Sequence, residues 1–105
     1  MDFQTLADDL GFDLEEFKEL VELFVDTGSA DLNSMFSAIE EKNAEKAAKA
    51  IHSLKGASGN LGFIEIHQIA KKMEIDARNN RLEEISEPAK LIREKLKAIS
   101  DQLNG

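Results

Sequence analysis

The chain has 105 residues, of which 42% are hydrophobic, enough for one domain with a single core over residues 1–105. The formal net charge of −8 argues against nucleic-acid binding, because phosphate contacts need a basic stripe, and the absence of cysteine excludes disulfides and thiolate metal sites. Neither a charged-then-apolar leader nor a long apolar run is present, so we expect a cytoplasmic protein without a membrane segment.

Apolar residues at helical spacing begin near the amino terminus. The pattern in residues 3–10 predicts a short helix that Gly11 ends. Asp13 followed by Glu16 is typical of a capping box, so a long second helix is predicted to begin there. Its apolar positions continue past Gly28, where the sequence leaves open either a kinked continuation or a new helix.

Three further helical patterns follow at about residues 44–60, 63–80 and 82–103. In the last of them Ser86 is predicted to be a cap, with Pro88 in the first turn, where proline is tolerated. The connections are only a few residues long, which favours antiparallel neighbours. We therefore predict an all-α protein, an antiparallel four-helix bundle with a short extra N-terminal helix.

The third helix carries one face on which small residues surround a histidine and a lysine: Ala48, His52, Lys55, Gly56 and Gly59. Glycine in a helix interior costs about 0.8–1 kcal/mol relative to alanine. The approaching helix end, with Gly62 as its left-handed terminator, could account for Gly59 but does not account for Gly56. The pattern predicts a surface cleared for a partner to approach the imidazole.

Four interpretations of His52 compete. A buried structural role conflicts with Lys55 on the same stripe, because lysine is rarely buried. A metal site lacks companion ligands at suitable spacing, His67 being the one other histidine. A hydrolytic triad would need Ser53 or Ser58, and both point away from His52 around the helix. We favour the fourth interpretation, in which the neutral imidazole itself attacks a phosphoryl group and Lys55 balances the added charge.

The segment His52–Ser58, followed by Gly62, resembles the His-x-x-Lys-Gly-x-Ser/Ala-x-x-x-Gly motif of histidine-containing phosphotransfer (HPt) domains. It is also similar to the amino-terminal phosphotransfer domain of chemotaxis-type histidine kinases. The resemblance implies that His52 carries the phosphoryl group on Nε2, that Lys55 is the nearby cation, and that Gly56 lies under the docked receiver domain.

The resemblance also bears on the helix that follows. Glu74 matches the glutamate that, in the chemotaxis-kinase version, hydrogen-bonds the other ring nitrogen of the histidine; the alternative is a solvated helix glutamate. Lys71 stands where that version has a second histidine, so nothing that depends on that histidine carries over. His67 matches no functional position and is expected to be a half-exposed packing residue.

The implied function is that of a phosphoryl carrier in a two-component phosphorelay, with no cofactor and no ATP-binding or autokinase activity of its own. Its partners would be response-regulator receiver domains, which hold the required Mg²⁺, and a histidine kinase or hybrid kinase. We expect a monomer. The predicted docking surface comprises Ala48, Gly56, Gly59 and Ser58, with Phe12, Leu14 or other exposed apolar residues near His52 as an apolar rim. The alternatives are a phosphorylation-independent helical adaptor and a phospho-accepting domain of a larger histidine kinase.

Overall fold

The computed structural model describes residues 2–105, and this part of the chain is helical without any strand. The elements are α1 (Phe3–Leu10), α2 (Leu14–Glu40), α3 (Ala44–Asn60), α4 (Ile64–Arg78), a single 3₁₀ turn (Leu82–Glu84) and α5 (Ser86–Asn104). Helices α2 to α5 pack as a bundle and α1 packs against α2. The predicted all-α bundle with a short N-terminal helix is confirmed.

Helices α3 and α5 occupy diagonal positions in the bundle. Each packs against both α2 and α4, so the outward faces of α3 and α5 point to opposite sides of the molecule. The long axis of the bundle measures 42 Å, against 22 and 16 Å across it. Fully buried large side chains from all four long helices form the core, among them Phe17, Leu32, Ile51, Met73 and Ile92.

Helix α2 runs without interruption through Gly28, which settles the question that the sequence leaves open. A Cβ atom at Gly28 would lie 3.2 Å from a methyl of Leu96 and 3.3 Å from a methyl of Leu54. The glycine therefore leaves room for the side chains of Leu54 on α3 and Leu96 on α5. It serves side-chain packing, and no new helix begins there.

The predicted helix ends are found at three places. Asp13 and Glu16 form the reciprocal capping box at the start of α2, with the Glu16 amide donating to Asp13 Oδ1 at 2.8 Å. Gly11 and Gly62 adopt left-handed conformations, with φ of 80° and 82°. At the start of α5 the prediction is wrong, because Ser86 is already helical and makes no capping hydrogen bond.

Candidate functional site

The site forms where α3 and α4 pack side by side. Asn43 caps α3 by accepting a hydrogen bond from the Lys46 amide. At the other end of α3, the left-handed Gly62 and a hydrogen bond from the Phe63 amide to the Ser58 carbonyl, at 3.0 Å, reverse the chain into α4. This tight reversal makes the two helices antiparallel neighbours. Side chains 22 residues apart in sequence therefore meet across the hairpin.

His52 lies on the outer face of α3 with 64% of its side chain exposed. Its Nδ1 lies 3.1 Å from Oε2 of Glu74 on α4. An ionised carboxylate can only accept hydrogen bonds, so this contact assigns the ring proton of a neutral imidazole to Nδ1. The second ring nitrogen, Nε2, is then left with its lone pair available.

Glu74 is buried, with 8% of its side chain exposed, and so is not a solvated helix glutamate. Lys55 Nζ lies 2.7 Å from Oε1, and Arg78 donates to Oε2 through Nη2 at 2.6 Å and Nε at 3.0 Å. Burial raises the pKa of Glu74, but the hydrogen bonds from Lys55, Arg78 and His52 outweigh it and hold the pKa at about 2. The carboxylate that orients His52 is therefore permanently charged near neutral pH.

Arg78 also belongs to this cluster, although the motif does not predict it. It binds the same carboxylate oxygen as His52 does. The available signal is its spacing, because Arg78 follows Glu74 by four residues and such helical pairs face each other. The structure thus brings together His52, Lys55 and Glu74, which the sequence predicts, with Arg78, which it does not.

Two glycines of the predicted face have different surroundings. At Gly56 an added Cβ would meet no atom within 4 Å, so nothing inside the fold requires a glycine there. At Gly59 an added Cβ would lie 2.9 Å from Nδ1 of His67, whose ring contacts the Lys55 carbonyl oxygen at 2.9 Å. Gly59 therefore makes room for the half-buried His67 ring, as a packing feature of the α3–α4 hairpin.

The predicted docking surface needs correction at several positions. Ala48 is 2% exposed and Ser58 is fully buried, with its hydroxyl donating to the Lys55 carbonyl, so neither side chain is available to a partner. Gly59 is occupied by the contact with His67. Of the four predicted docking positions, only Gly56 faces open space.

The two residues named for the apolar rim, Phe12 and Leu14, are also misplaced. The hydroxyl of Ser53, next to His52, donates to Asp31 Oδ2 at 2.9 Å, which places the middle of α2 beside the site. Leu14 begins the same helix seventeen residues earlier, roughly 25 Å away by the rise of an α-helix. Phe12 precedes it in the α1–α2 turn. Neither residue lies near His52.

Asp31 is the acidic group that α2 contributes to this region. It is half-buried, and burial raises its pKa, an effect that the hydrogen bond from Ser53 partly offsets. Within residues 2–105 no group of three or more histidine, cysteine, aspartate or glutamate side chains is arranged to hold a metal ion. No helix in that same range combines the length and the apolar character needed to cross a membrane.

The site thus consists of an exposed imidazole on the outer face of a helical bundle, with one ring nitrogen held by a buried carboxylate. The model of the Hpt domain family matches residues 19–102, and the chain belongs to this family. No curated protein and no solved structure gives a significant match. Hpt domains are phosphocarriers of phosphorelays that interact with receiver domains and kinases, and the predicted resemblance is confirmed.

Proposed function

We propose that His52 is the phosphorylated residue of this Hpt domain, and that it exchanges a phosphoryl group with an aspartate of a response-regulator receiver domain. The observation that carries the proposal is the 3.1 Å contact between His52 Nδ1 and the buried Glu74 carboxylate. It fixes the tautomer whose exposed Nε2 is a nucleophile. Among residues 2–105 the other histidine, His67, is half-buried and engaged with the Lys55 carbonyl.

The transfer step follows from that tautomer. The Nε2 lone pair attacks the phosphorus of the aspartyl phosphate, and the N–P bond forms as the bond from phosphorus to the aspartate oxygen breaks. The carboxylate leaves with the electron pair, so no proton has to be removed from the attacking nitrogen. The phosphorylated ring retains its Nδ1 proton and carries a positive charge, which the carboxylate of Glu74 faces. The reverse step returns the phosphoryl group to an aspartate.

Lys55 and Gly56 have separate roles in this proposal. Lys55, one turn from His52, balances the charge of the arriving phosphoryl group while its ammonium holds Glu74. Gly56 leaves the space into which the receiver domain docks. The Mg²⁺ that phosphoryl transfer requires is held by the receiver domain, and positioning and electrostatics supply most of the catalysis.

The test is phosphoryl transfer from a panel of isolated receiver domains, each phosphorylated on aspartate and mixed with the purified chain and Mg²⁺. We expect label that is acid-labile and base-stable, as phosphohistidine is. His52→Gln should abolish the label without unfolding the protein. His67→Gln is the matched control, because a glutamine amide can still donate to the Lys55 carbonyl, and it should retain the label.

Label that persists in His52→Gln would exclude His52 as the acceptor. A folded protein that accepts no label from any receiver domain of the panel would favour a phosphorylation-independent adaptor. Folding is checked in both cases by circular dichroism, so that loss of transfer is not confused with loss of structure.

A further inference from the structure

The charges of this acidic chain are distributed very unevenly. Residues 1–41, which include α1 and α2, carry a net charge of −11, and residues 82–105 carry −1. Residues 42–81, which form the α3–α4 hairpin, carry eight basic and four acidic residues, a net charge of +4. The hairpin that holds His52 is therefore the one positive part of a molecule whose total charge is −8.

Four of these basic residues flank the site. Lys49 and Lys55 lie one turn before and one turn after His52 on α3, and Lys71 and Arg78 lie one turn before and one turn after Glu74 on α4. Because His52 and Glu74 are in contact, the four cations surround that contact on both helices. We call this set, Lys49, Lys55, Lys71 and Arg78, the basic rim.

Two of the four residues of the basic rim make contacts within the site, and two do not. Lys55 and Arg78 hold Glu74. Lys49 extends into solvent, with 77% of its side chain exposed and only a 3.5 Å ion pair to the equally exposed Glu45. Lys71 is exposed as well. The four cations of the basic rim outnumber the three adjoining acidic residues, Glu45, Glu74 and Asp31, so the formal charge around His52 is positive.

We propose that the partner docks on His52 through an acidic protein surface, and that the charge asymmetry of the chain orients this partner as it approaches. The inference rests on the proposed function and specifies the partner of the same site. Beyond a Debye length of about 8 Å the net negative charge of the chain is screened at physiological salt, so the local field of the hairpin dominates at contact. An acidic partner is then attracted by the hairpin and repelled by α1 and α2.

The experiment compares two double charge reversals that alter the net charge equally. Lys49→Glu with Lys71→Glu reverses the charge of the two exposed lysines of the basic rim. Lys90→Glu with Lys97→Glu makes the same change on the diagonal helix α5, where both lysines form exposed ion pairs within the helix. For each variant, kcat/KM for transfer from a phosphorylated receiver domain is measured at increasing KCl, together with the hydrolysis rate of the phosphohistidine.

We expect the rim variant to lower kcat/KM about tenfold at low salt, a typical size for electrostatic effects on association. The α5 variant should change kcat/KM less than twofold, and the difference between the variants should shrink as KCl rises. Both variants should hydrolyse their phosphohistidine at the wild-type rate.

Equal loss in the two variants would show that only net charge matters, and would overturn the proposal. Faster phosphohistidine hydrolysis in the rim variant with unchanged kcat/KM would also overturn it, because the rim would then serve the phosphoryl group rather than the partner. If the wild-type chain accepts no label from any receiver domain, the proposed function fails, and this inference fails with it. Transfer without dependence on the rim contradicts the inference alone.

Discussion

Glu74 is the residue on which the geometry of the site depends. Its two carboxylate oxygens contact three side chains, and one oxygen is shared between His52 and Arg78. Lys55 and Arg78 offset the cost of burying this charge, because charge-assisted hydrogen bonds are stronger than neutral ones. The same contacts that stabilise the hairpin therefore also decide which nitrogen of His52 faces the solvent.

The low pKa of Glu74 makes stability depend on pH. In the folded chain the pKa is about 2, below its ordinary value of 4.5, so the folded state binds the proton less readily than the unfolded state. The stabilisation is present above pH 4.5 and is lost as the pH falls towards 2. The measurement is the free energy of unfolding in urea between pH 7 and pH 2.

Glu74→Gln provides the comparison for this measurement. Glutamine can still accept from His52 Nδ1, but it carries no charge to hold Lys55 and Arg78. We expect a loss of about 1.5–3 kcal/mol at pH 7, the range for hydrogen bonds to charged groups. The difference between wild type and variant should close as the pH falls to 2. A difference that stays constant over this range would contradict the assigned ion pairs.

At the scale of elements, substitutions of Gly56 test helix stability and docking of the partner separately. Because nothing lies within 4 Å of an added Cβ, Gly56→Ala should stabilise α3 by about 0.8–1 kcal/mol. Gly56→Leu should leave the fold intact and slow transfer from a receiver domain. Chemical denaturation and transfer kinetics measure the two effects. Unimpaired transfer by Gly56→Leu would refute the interpretation of a cleared surface.

Gly59→Ala is the matched control on the same helix. Its added methyl would lie 2.9 Å from the His67 ring, which must move away from the Lys55 carbonyl. The gain in helix propensity should therefore be cancelled by lost packing, and the NMR signals of His67 should shift. The same substitution in the same helix is thus expected to stabilise the protein at position 56 and to give no net gain at position 59, three residues away.

Local signals in the sequence are sufficient for the helices and for most of their ends. The apolar spacing, the capping box at Asp13 and the left-handed Gly11 and Gly62 are properties of a few neighbouring residues, and all are found in the structure. The role of Gly28 within the continuous α2 is not local, because it involves the side chains of Leu54 and Leu96 from two other helices.

In the candidate site, too, local sequence predicts the residues of the motif but not the features that depend on packing between helices. His52 and Lys55 follow from the motif and Glu74 from the resemblance to the chemotaxis-kinase domain, and the structure brings the three together. Ala48 lies on the predicted stripe and is nevertheless buried, because spacing along a helix identifies a stripe but does not fix how the helix is rotated against its neighbours. Ser58, which lies off that stripe, is buried as well. The width of the exposed part of that stripe is set by the packing of α2 and α4 against α3.

At the scale of the whole molecule, we propose that the chain behaves as one domain. Side chains from α2, α3, α4 and α5 share a continuous core, and α2 contacts both diagonal helices. Small domains with one core unfold in a single cooperative transition. Calorimetry should therefore give equal calorimetric and van't Hoff enthalpies of unfolding. A second transition, or a calorimetric enthalpy well above the van't Hoff value, would indicate separate units.

The exposure of His52 bears on what this chain and the receiver domain each contribute to the reaction. Its imidazole stands on the convex side of a helix with 64% of its side chain in solvent, and the neighbouring Gly56 opens the surface further. In the proposed reaction this chain supplies the protruding imidazole, and the receiver domain supplies the concave active site and its metal ion. Substitutions at Gly56 and at the exposed Lys49 and Lys71 are then expected to alter which receiver domains dock more than they alter the transfer step itself.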